Sequence, residues 1–428
     1  MFAEMAYLFR HALLRDAAYQ LQLPGDRARL HALAFEILEA MHGGRAPRPP
    51  ALDAIAPPRP VLHPTDDVAM DLAWHLGNAG GQAGKSNAGD LRRLYLRRAA
   101  EHAERQFRSE AAARCWQELA DLLQDSSRGE ALRRAAETCF HAGLVEQAGD
   151  LFEKAVANTV ASGNRRLQGV ALGNLGLVYM KTGRVVDAER TFEQALAIHR
   201  ALGYRVAEGK TLANLAILYT ETGRTDQGEQ TYEQALAIHR ESSDRRSECI
   251  ALGNLAIVYQ HKDQMEKAER MYELALAITR EIGEARIEGV TLANLASVYR
   301  DTGRLALGEQ TFERGLEIHI RVGNRRSEGV ALGNLANIYQ FSGRMKLAEQ
   351  TYDRAIAIHR EVGNRRFEGI ALCDLAVQYI ATQRIEDARH AWRDGAAILR
   401  ELRDIGELQR KAVFMRDSCV KAGVPPFE

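Results

Sequence analysis

Between Pro64 and Pro425 the chain has no proline. Proline breaks helix interiors because it lacks an N–H and clashes with the preceding turn, so this absence permits an almost wholly helical body. Seven of the ten prolines crowd into Pro47–Pro64, "PRPPALDAIAPPRPVLHP", which is expected to be an extended, semi-rigid linker. Cysteine is also scarce. Cys115, Cys139, Cys249, Cys373 and Cys419 stand far apart, in no zinc-ligand or redox spacing, and are expected to be reduced. No run approaches the roughly 18 apolar residues of a membrane span. Arg10 and His11 interrupt the one short apolar stretch at the start, as a secretory signal would not allow. A soluble, cytoplasmic chain is therefore expected. Excess charge is absent as well: Lys plus Arg and Asp plus Glu each total 57. A balanced chain has no global field to draw it to nucleic acid or to an anionic membrane, and neither is expected as a partner.

What is present is repetition. "GVALGNLGLVYMKTGRVVDAERTFEQALAIHR" (169–200) returns as "GKTLANLAILYTETGRTDQGEQTYEQALAIHR" (209–240), and again from 249, 289, 329 and 369. A worn copy begins near Gly129 and a less regular helical pair covers about 90–124, giving about eight units. Apolar spacing makes each unit two antiparallel helices. The first starts at a pair such as Arg325 and Arg326, with Asn324 as N-cap and Gly323 as the C′ residue of the helix before it; Gly343 turns the chain into the second helix. A last helix is expected over 404–422. The expected segments are thus 1–42 (helical), 43–64 (linker), 65–128 (irregular helical), 129–403 (repeat array) and 404–428 (capping helix and tail).

The residues Leu335, Ala336, Tyr339, Gly343, Ala348, Tyr352 and Ala355 carry a resemblance to the tetratricopeptide repeat, in the longer 40-residue form found in kinesin light chain. The resemblance implies an all-α, right-handed superhelical solenoid that binds protein segments in its concave groove. The N-terminal stretches 8–40 and 71–80, through His11, Asp16, Tyr19, Arg29, His31, Trp74 and His75, resemble the region that follows the ATPase module in bacterial AAA/STAND signalling proteins. That resemblance implies a sensor or regulatory arm and an association with an ATPase or kinase module.

Several motifs have plain structural explanations. "AGGQAGKS" (79–86) fits a loose phosphate-binding pattern ending in Gly84, Lys85 and Ser86. A working loop needs a strand before it and a helix directly after; here a helical segment precedes it and "SNAGD" intervenes, so it is expected to be a connection between helices. His199, His239, His319 and His359 form a ladder whose rungs lie about one helix diameter apart, ~10 Å. Zinc needs its ligand atoms at ~2 Å from one centre, so no metal is expected, and the helix dipole is expected to explain histidine near a helix C-terminus. The aromatic ladders Tyr179 to Tyr379 and Phe192 to Trp392 are core positions. The small residues Gly173, Ala213, Gly253, Ala293, Gly333 and Cys373 are expected to let helices approach closely. The Arg184 to Arg384 and Glu189 to Glu349 series are expected to pair at the surface. No singular nucleophile–base arrangement stands out, so neither catalysis nor a cofactor is expected.

One ladder has no such simple explanation. Asn174, Asn214, Asn254, Asn294 and Asn334 recur once in every repeat inside first helices, where asparagine is a poor helix former; the last unit has Asp374. In peptide-binding members of the resembling family this position faces the groove and its carboxamide bonds the main chain of an extended peptide. One amide supplies both a donor and an acceptor, so a ladder of them can hold a main chain irrespective of its sequence. Neighbouring positions vary and are expected to set specificity: Lys210 four residues before a rung, Ile257 and Asn337 three after, Gln260, Arg300 and Gln340 six after. A carboxylate clamp in related repeats pairs the asparagine with a lysine four residues earlier, and Lys210/Asn214 alone keeps that spacing. The alternative is that these asparagines bridge adjacent repeats or bind water.

Overall fold

The computed structural model describes residues 22–54, 61–79 and 87–427. Within them lie nineteen α-helices, one 3-10 turn (Pro64–Val68) and no strand. The chain falls into two compact units, Met1–Asn214 and Leu215–Glu428.

In the first unit α1 (Pro24–Met41) and α2 (Ala69–Asn78) precede three helix pairs: α3 (Ala88–Arg105) with α4 (Ser109–Asp121), α5 (Ser126–His141) with α6 (Val145–Ala161), and α7 (Arg165–Lys181) with α8 (Val185–Ala201). Helix α9 (Arg205–Glu221) runs across the division. The second unit continues with α10 (Thr225–Glu241), α11 (Arg245–His261) with α12 (Met265–Ile282), α13 (Ala285–Asp301) with α14 (Leu305–Arg321), α15 (Arg325–Phe341) with α16 (Met345–Glu361), and α17 (Arg365–Ala381) with α18 (Ile385–Glu401). Helix α19 (Ile405–Ala422) follows in the place of a further first helix. The fold is an all-α solenoid of helix pairs.

Local chemistry sets the boundaries. The side chains of Asn164, Asp244, Asn324 and Asp404 accept hydrogen bonds from backbone N–H groups three residues on, at 3.1, 3.1, 3.3 and 3.3 Å, and so cap four first helices. Gly323 and Gly343 have φ of +66° and +76°, the left-handed turn that ends each helix. Ser243, Asp263, Gln383 and Arg403 occupy the same turn without being glycine.

Pairing fills the core between helices. Trp116, Tyr232, Tyr272, Phe312 and Tyr352 are wholly buried, each contributing roughly 2–3 kcal/mol of apolar burial. Charge joins successive pairs: Arg304, Arg344 and Arg384 reach back to Glu269, Glu309 and Glu349 of the preceding second helix at 2.7, 2.6 and 2.7 Å. The same arginines lie over Tyr299, Tyr339 and Tyr379, 4.3–4.6 Å from the ring centroids, a contact that charge pattern alone does not reveal.

Two expectations need correction. A Cβ built on Gly253 or Gly333 meets nothing within 4 Å, so these glycines do not serve close helix packing; the space beside them is open. Gly176 of α7, by contrast, is held by packing: a Cβ there would lie 2.5 Å from the Phe192 ring. The histidine ladder is likewise not a dipole effect. His199, His319 and His359 are 1% exposed, and burial holds their pKa below the ordinary value, so the rings are neutral at pH 7. Each ring sits where a glycine in the first helix of the same unit leaves room. A Cβ on Gly169, Gly289 or Gly329 would lie 2.7, 2.6 or 2.6 Å from the histidine Cε1. Where that first-helix residue is Cys249, the matching second-helix position, 279, is threonine.

The buried histidines give a pH dependence. Glu208, Glu328 and Glu368 oppose the burial effect, as does the Gly289 carbonyl at His319, while Arg326 adds to it at His359; the net direction is down. The unfolded chain therefore takes up protons first as pH falls through about 6.5. Stability is expected to be full above pH 7 and to decline between pH 7 and pH 5, read as a falling thermal midpoint. His319→Gln with His359→Gln is expected to flatten that decline.

Candidate peptide-binding stripe

On each first helix the residues four before, at, three after and six after the ladder position form one face, since on a 3.6-residue helix these offsets all fall within an arc of about 120°. In the structure this face is half-open, while its flanks are buried. Asn174 and Asn214 in the first unit, and Asn254, Asn294, Asn334 and Asp374 in the second, are all of intermediate exposure, each followed by a buried leucine. Ile257, Gln260, Arg300, Asn337 and Gln340 share that intermediate exposure, and Lys210 is exposed. Ile250 and Val290, four residues before their rungs, are 40% and 45% exposed despite being large and apolar.

The rungs are not chemically equal. Tyr232, raised in pKa by burial, shares a side-chain hydrogen bond with Asn254, tying one rung to the second helix before it. Asn294 and Asn334 make no side-chain hydrogen bond to another protein group among the described residues. The aromatic residue at the place of Tyr232 beneath Asn334 is Phe312, which has no hydroxyl to offer. Asparagine thus recurs whether or not a tyrosine lies below it, and bridging to that aromatic does not explain the ladder.

Several flanking residues are engaged from within. Tyr272 donates to Gln260 Oε1 at 2.8 Å. Tyr352 donates to Asn337 Oδ1 at 2.7 Å and to Gln340 Oε1 at 3.2 Å. The Arg300 guanidinium pairs with Asp301 at 2.8 Å, which offsets the cationic character expected of it. Asp374 is taken up by Lys411 of α19 at 2.5 Å and by Asn337. Burial raises the Asp374 carboxyl and Lys411 draws it back. Within the second unit the ladder position at Asp374 is thus closed off by α19, which occupies the place of the next first helix.

Within the first unit the ladder register reaches further back than the regular repeat period reveals. The step from the start of α4 (Ser109) to that of α6 (Val145), and from the end of α3 (Arg105) to that of α5 (His141), is four residues shorter than the regular step from Val145 to Val185. In that register Arg98 and Arg134 are the first two rungs. The inner hydrogen bonds agree: Trp116 donates to Glu104 twelve residues back at 2.7 Å, as Tyr272 does to Gln260. Arg134 lies over the Trp116 ring at 4.4 Å and donates to Glu104 at 2.6 Å.

Among the described residues, no three His, Cys, Asp or Glu side chains are grouped to hold a metal, and no helix is long and apolar enough to cross a membrane. Of the 79–86 segment, residues 80–86 lie outside the described residues, as do His11, Asp16 and Tyr19; a helix, α2, precedes the segment.

A family model described as tetratricopeptide repeat matches six overlapping stretches: residues 127–201, 167–241, 207–281, 247–321, 288–360 and 327–401. No curated protein matches the chain. Among solved structures it is similar to the apo form of the quorum sensor NprR from B. thuringiensis, at 15% identity and a TM-score of 0.59 over 78% of this chain and 97% of that one. A STAND protein with a tetratricopeptide repeat sensor from Pyrococcus horikoshii matches at 16% identity and a TM-score of 0.58, over 94% of this chain and 67% of that one. A Rap protein complexed with Competence and Sporulation Factor matches at 13% identity and a TM-score of 0.56, over 89% and 99%. At these identities the likeness is one of fold.

Proposed function

The chain belongs to the tetratricopeptide repeat family, and from that premise we propose that it is a protein-interaction scaffold whose ladder stripe holds a segment of a partner protein in a signalling setting. The observation that carries this reading is the pair Asn294 and Asn334: half-exposed carboxamides inside helices, with no side-chain hydrogen bond to another protein group among the described residues. An interior asparagine costs helix stability of about several tenths of a kcal/mol against alanine, so its recurrence calls for a partner from outside. Asn174, Asn214, Asn254, Asn294 and Asn334 would hold main chain. Lys210, Ile257, Gln260, Arg300, Asn337 and Gln340 would select side chains, with Ile250 and Val290 adding apolar contact. Asp374 closes the stripe through Lys411.

The test is capture of a partner from native lysate, followed by its affinity for the wild type and for Asn254→Ala/Asn294→Ala/Asn334→Ala. The triple variant is expected to bind at least about tenfold more weakly, from the loss of several hydrogen bonds at ~0.5–1.5 kcal/mol each. Its thermal melt should be unchanged or slightly higher, since alanine is the better helix former. Equal affinity in the two proteins, or an unfolded variant, would remove the reading.

A second reading treats the repeats as the sensor arm of a STAND-type ATPase or kinase system. It is supported by the extent of the fold likeness to the STAND protein, which at 94% of the chain reaches into the helices ahead of the repeats. Capture of an ATPase or kinase module as the main partner would favour it.

A further inference from the structure

The first rung of the stripe is already occupied, and by the chain itself. Residues 46–51 form no helix, strand or turn. Their sequence, Ala46-Pro47-Arg48-Pro49-Pro50-Ala51, leaves little choice of backbone. Proline fixes its own φ at about −65° and drives the preceding residue to the extended region. Such a run favours polyproline II, with three residues per turn and a rise of about 9.3 Å per turn. Carbonyls three residues apart then point the same way.

The contacts follow that period. Arg98, the first rung, is steadied by Asp66 at 2.7 Å and donates to the Pro47 carbonyl at 3.4 Å and to the Val61 carbonyl at 3.0 Å. Arg97, in the register of Gly253 and Gly333, donates to the Pro50 carbonyl, three residues beyond Pro47. The strap then turns, and Ser126 of α5 donates to Asp53 Oδ2 at 2.8 Å, while Arg166 of α7 donates to the Asp53 carbonyl. Ser126 and Arg166 hold equivalent places in successive units. The strap thus crosses from one first helix towards the next, with its carbonyls turned to the helices. Ala46, at the start of the strap, is 3% exposed.

Resting on the scaffold reading, we propose that the partner segment of the asparagine repeats has the chemistry of this strap: an extended, proline-bearing main chain in polyproline II, laid across the first helices with its carbonyls turned to the rungs. Adjacent rungs lie about 10 Å apart, one helix diameter, close to the ~9.3 Å turn of polyproline II. Proline carbonyls need donors and offer no N–H, and a carboxamide supplies two N–H groups, as the guanidinium of Arg98 does at the first rung. The open space beside Gly253 and Gly333 completes the fit. Where arginine reaches out to a strap at the first rung, the short asparagine needs the chain to lie closer, and glycine next to it leaves that room. Proline also lowers the ordering cost of binding, because the free segment is already extended.

The experiment uses the full chain and two labelled, end-capped synthetic peptides. One has the sequence of residues 45–54, RAPRPPALDA; the other has its three prolines replaced by alanine. Fluorescence anisotropy is expected to show the proline peptide binding at least about tenfold more tightly than its alanine counterpart. Asn254→Ala/Asn294→Ala/Asn334→Ala is expected to weaken the proline peptide by a similar factor. Equal binding of both peptides, no binding at millimolar concentration, or no effect of the triple variant each overturns the proposal. A second measurement bears on the strap itself: Arg97→Ala should raise the rate of tryptic cleavage after Arg45 several-fold, and an unchanged rate contradicts the hold described. If the captured partner depends on the three asparagines while the proline peptide does not bind, the scaffold reading stands and this inference alone falls.

Discussion

Lys411→Met is expected to destabilise the Leu215–Glu428 unit by about 2–4 kcal/mol at neutral pH. Lys411 Nζ lies 2.5 Å from Asp374 Oδ1, and both side chains are largely covered, with 17% and 16% of their surface exposed. Removing one partner of a buried pair leaves the other desolvated and uncompensated, which is costlier than removing both. The pH dependence has a definite sign. Burial already raises the Asp374 carboxyl, and Lys411 is the first group that counters it, so the variant's carboxyl moves higher still. A group whose folded pKa is raised costs stability as pH rises through that pKa. The deficit should therefore be largest near pH 7.5 and smaller at pH 5, since protonation of Asp374 relieves it. Urea unfolding at both pH values checks this. Lys411→Met combined with Asp374→Asn should recover most of the loss, because asparagine restores the residue type of the other rungs without a charge.

Gly395→Ala and Gly333→Ala are expected to change stability in opposite directions although both replace a glycine inside a helix. At Gly395 a Cβ would lie 2.7 Å from the Gly369 carbonyl oxygen, 2.8 Å from Cys373 Sγ and 3.0 Å from the Cys373 nitrogen. Two of these are backbone atoms of α17 and cannot rotate away, so the helices must separate, at a cost of about 1–3 kcal/mol net of the gain in helix propensity. At Gly333 nothing lies within 4 Å. There alanine relieves the entropic cost of glycine and should add about 0.5–1 kcal/mol. The extra methyl group enters the space in front of the stripe, so the same substitution should weaken the captured partner. A protein made more stable and less able to bind by one methyl group is what a glycine kept for a ligand predicts. Chemical denaturation of each variant, with the partner affinity of Gly333→Ala, decides both points.

Much of the fold was legible because the repeat is local. Caps such as Asn324, turns such as Gly343 and the apolar spacing around Leu335 and Tyr352 act over a few residues, and six near-copies made the period plain. The half-open face of the ladder followed from helix geometry. Other features depended on distance. Arg98 was hidden as a rung because the spacing contracts by one helical turn before Gly129. The docking of Pro47 and Pro50 onto Arg98 and Arg97 joins segments far apart in the sequence and leaves no trace in local pattern. Gly253 and Gly333 look like packing glycines in the sequence, because composition cannot tell a glycine that a helix packs against from one that faces open space. The seating of His199, His319 and His359 on glycines was present in the sequence, in the exchange of both partners at Cys249 and Thr279, but only the structure shows that those positions touch.

The central claim is that a partner lies on the ladder stripe. A photo-crosslinking residue at Val290, on the stripe, and at Leu307, on a second helix, tests it most directly. The two positions are 45% and 41% exposed, so accessibility does not favour either. With the captured partner present, irradiation is expected to give a covalent adduct from the Val290 position, competed away by excess unlabelled partner, and none from Leu307. Adducts from Leu307, or equal yields from both, would contradict the account.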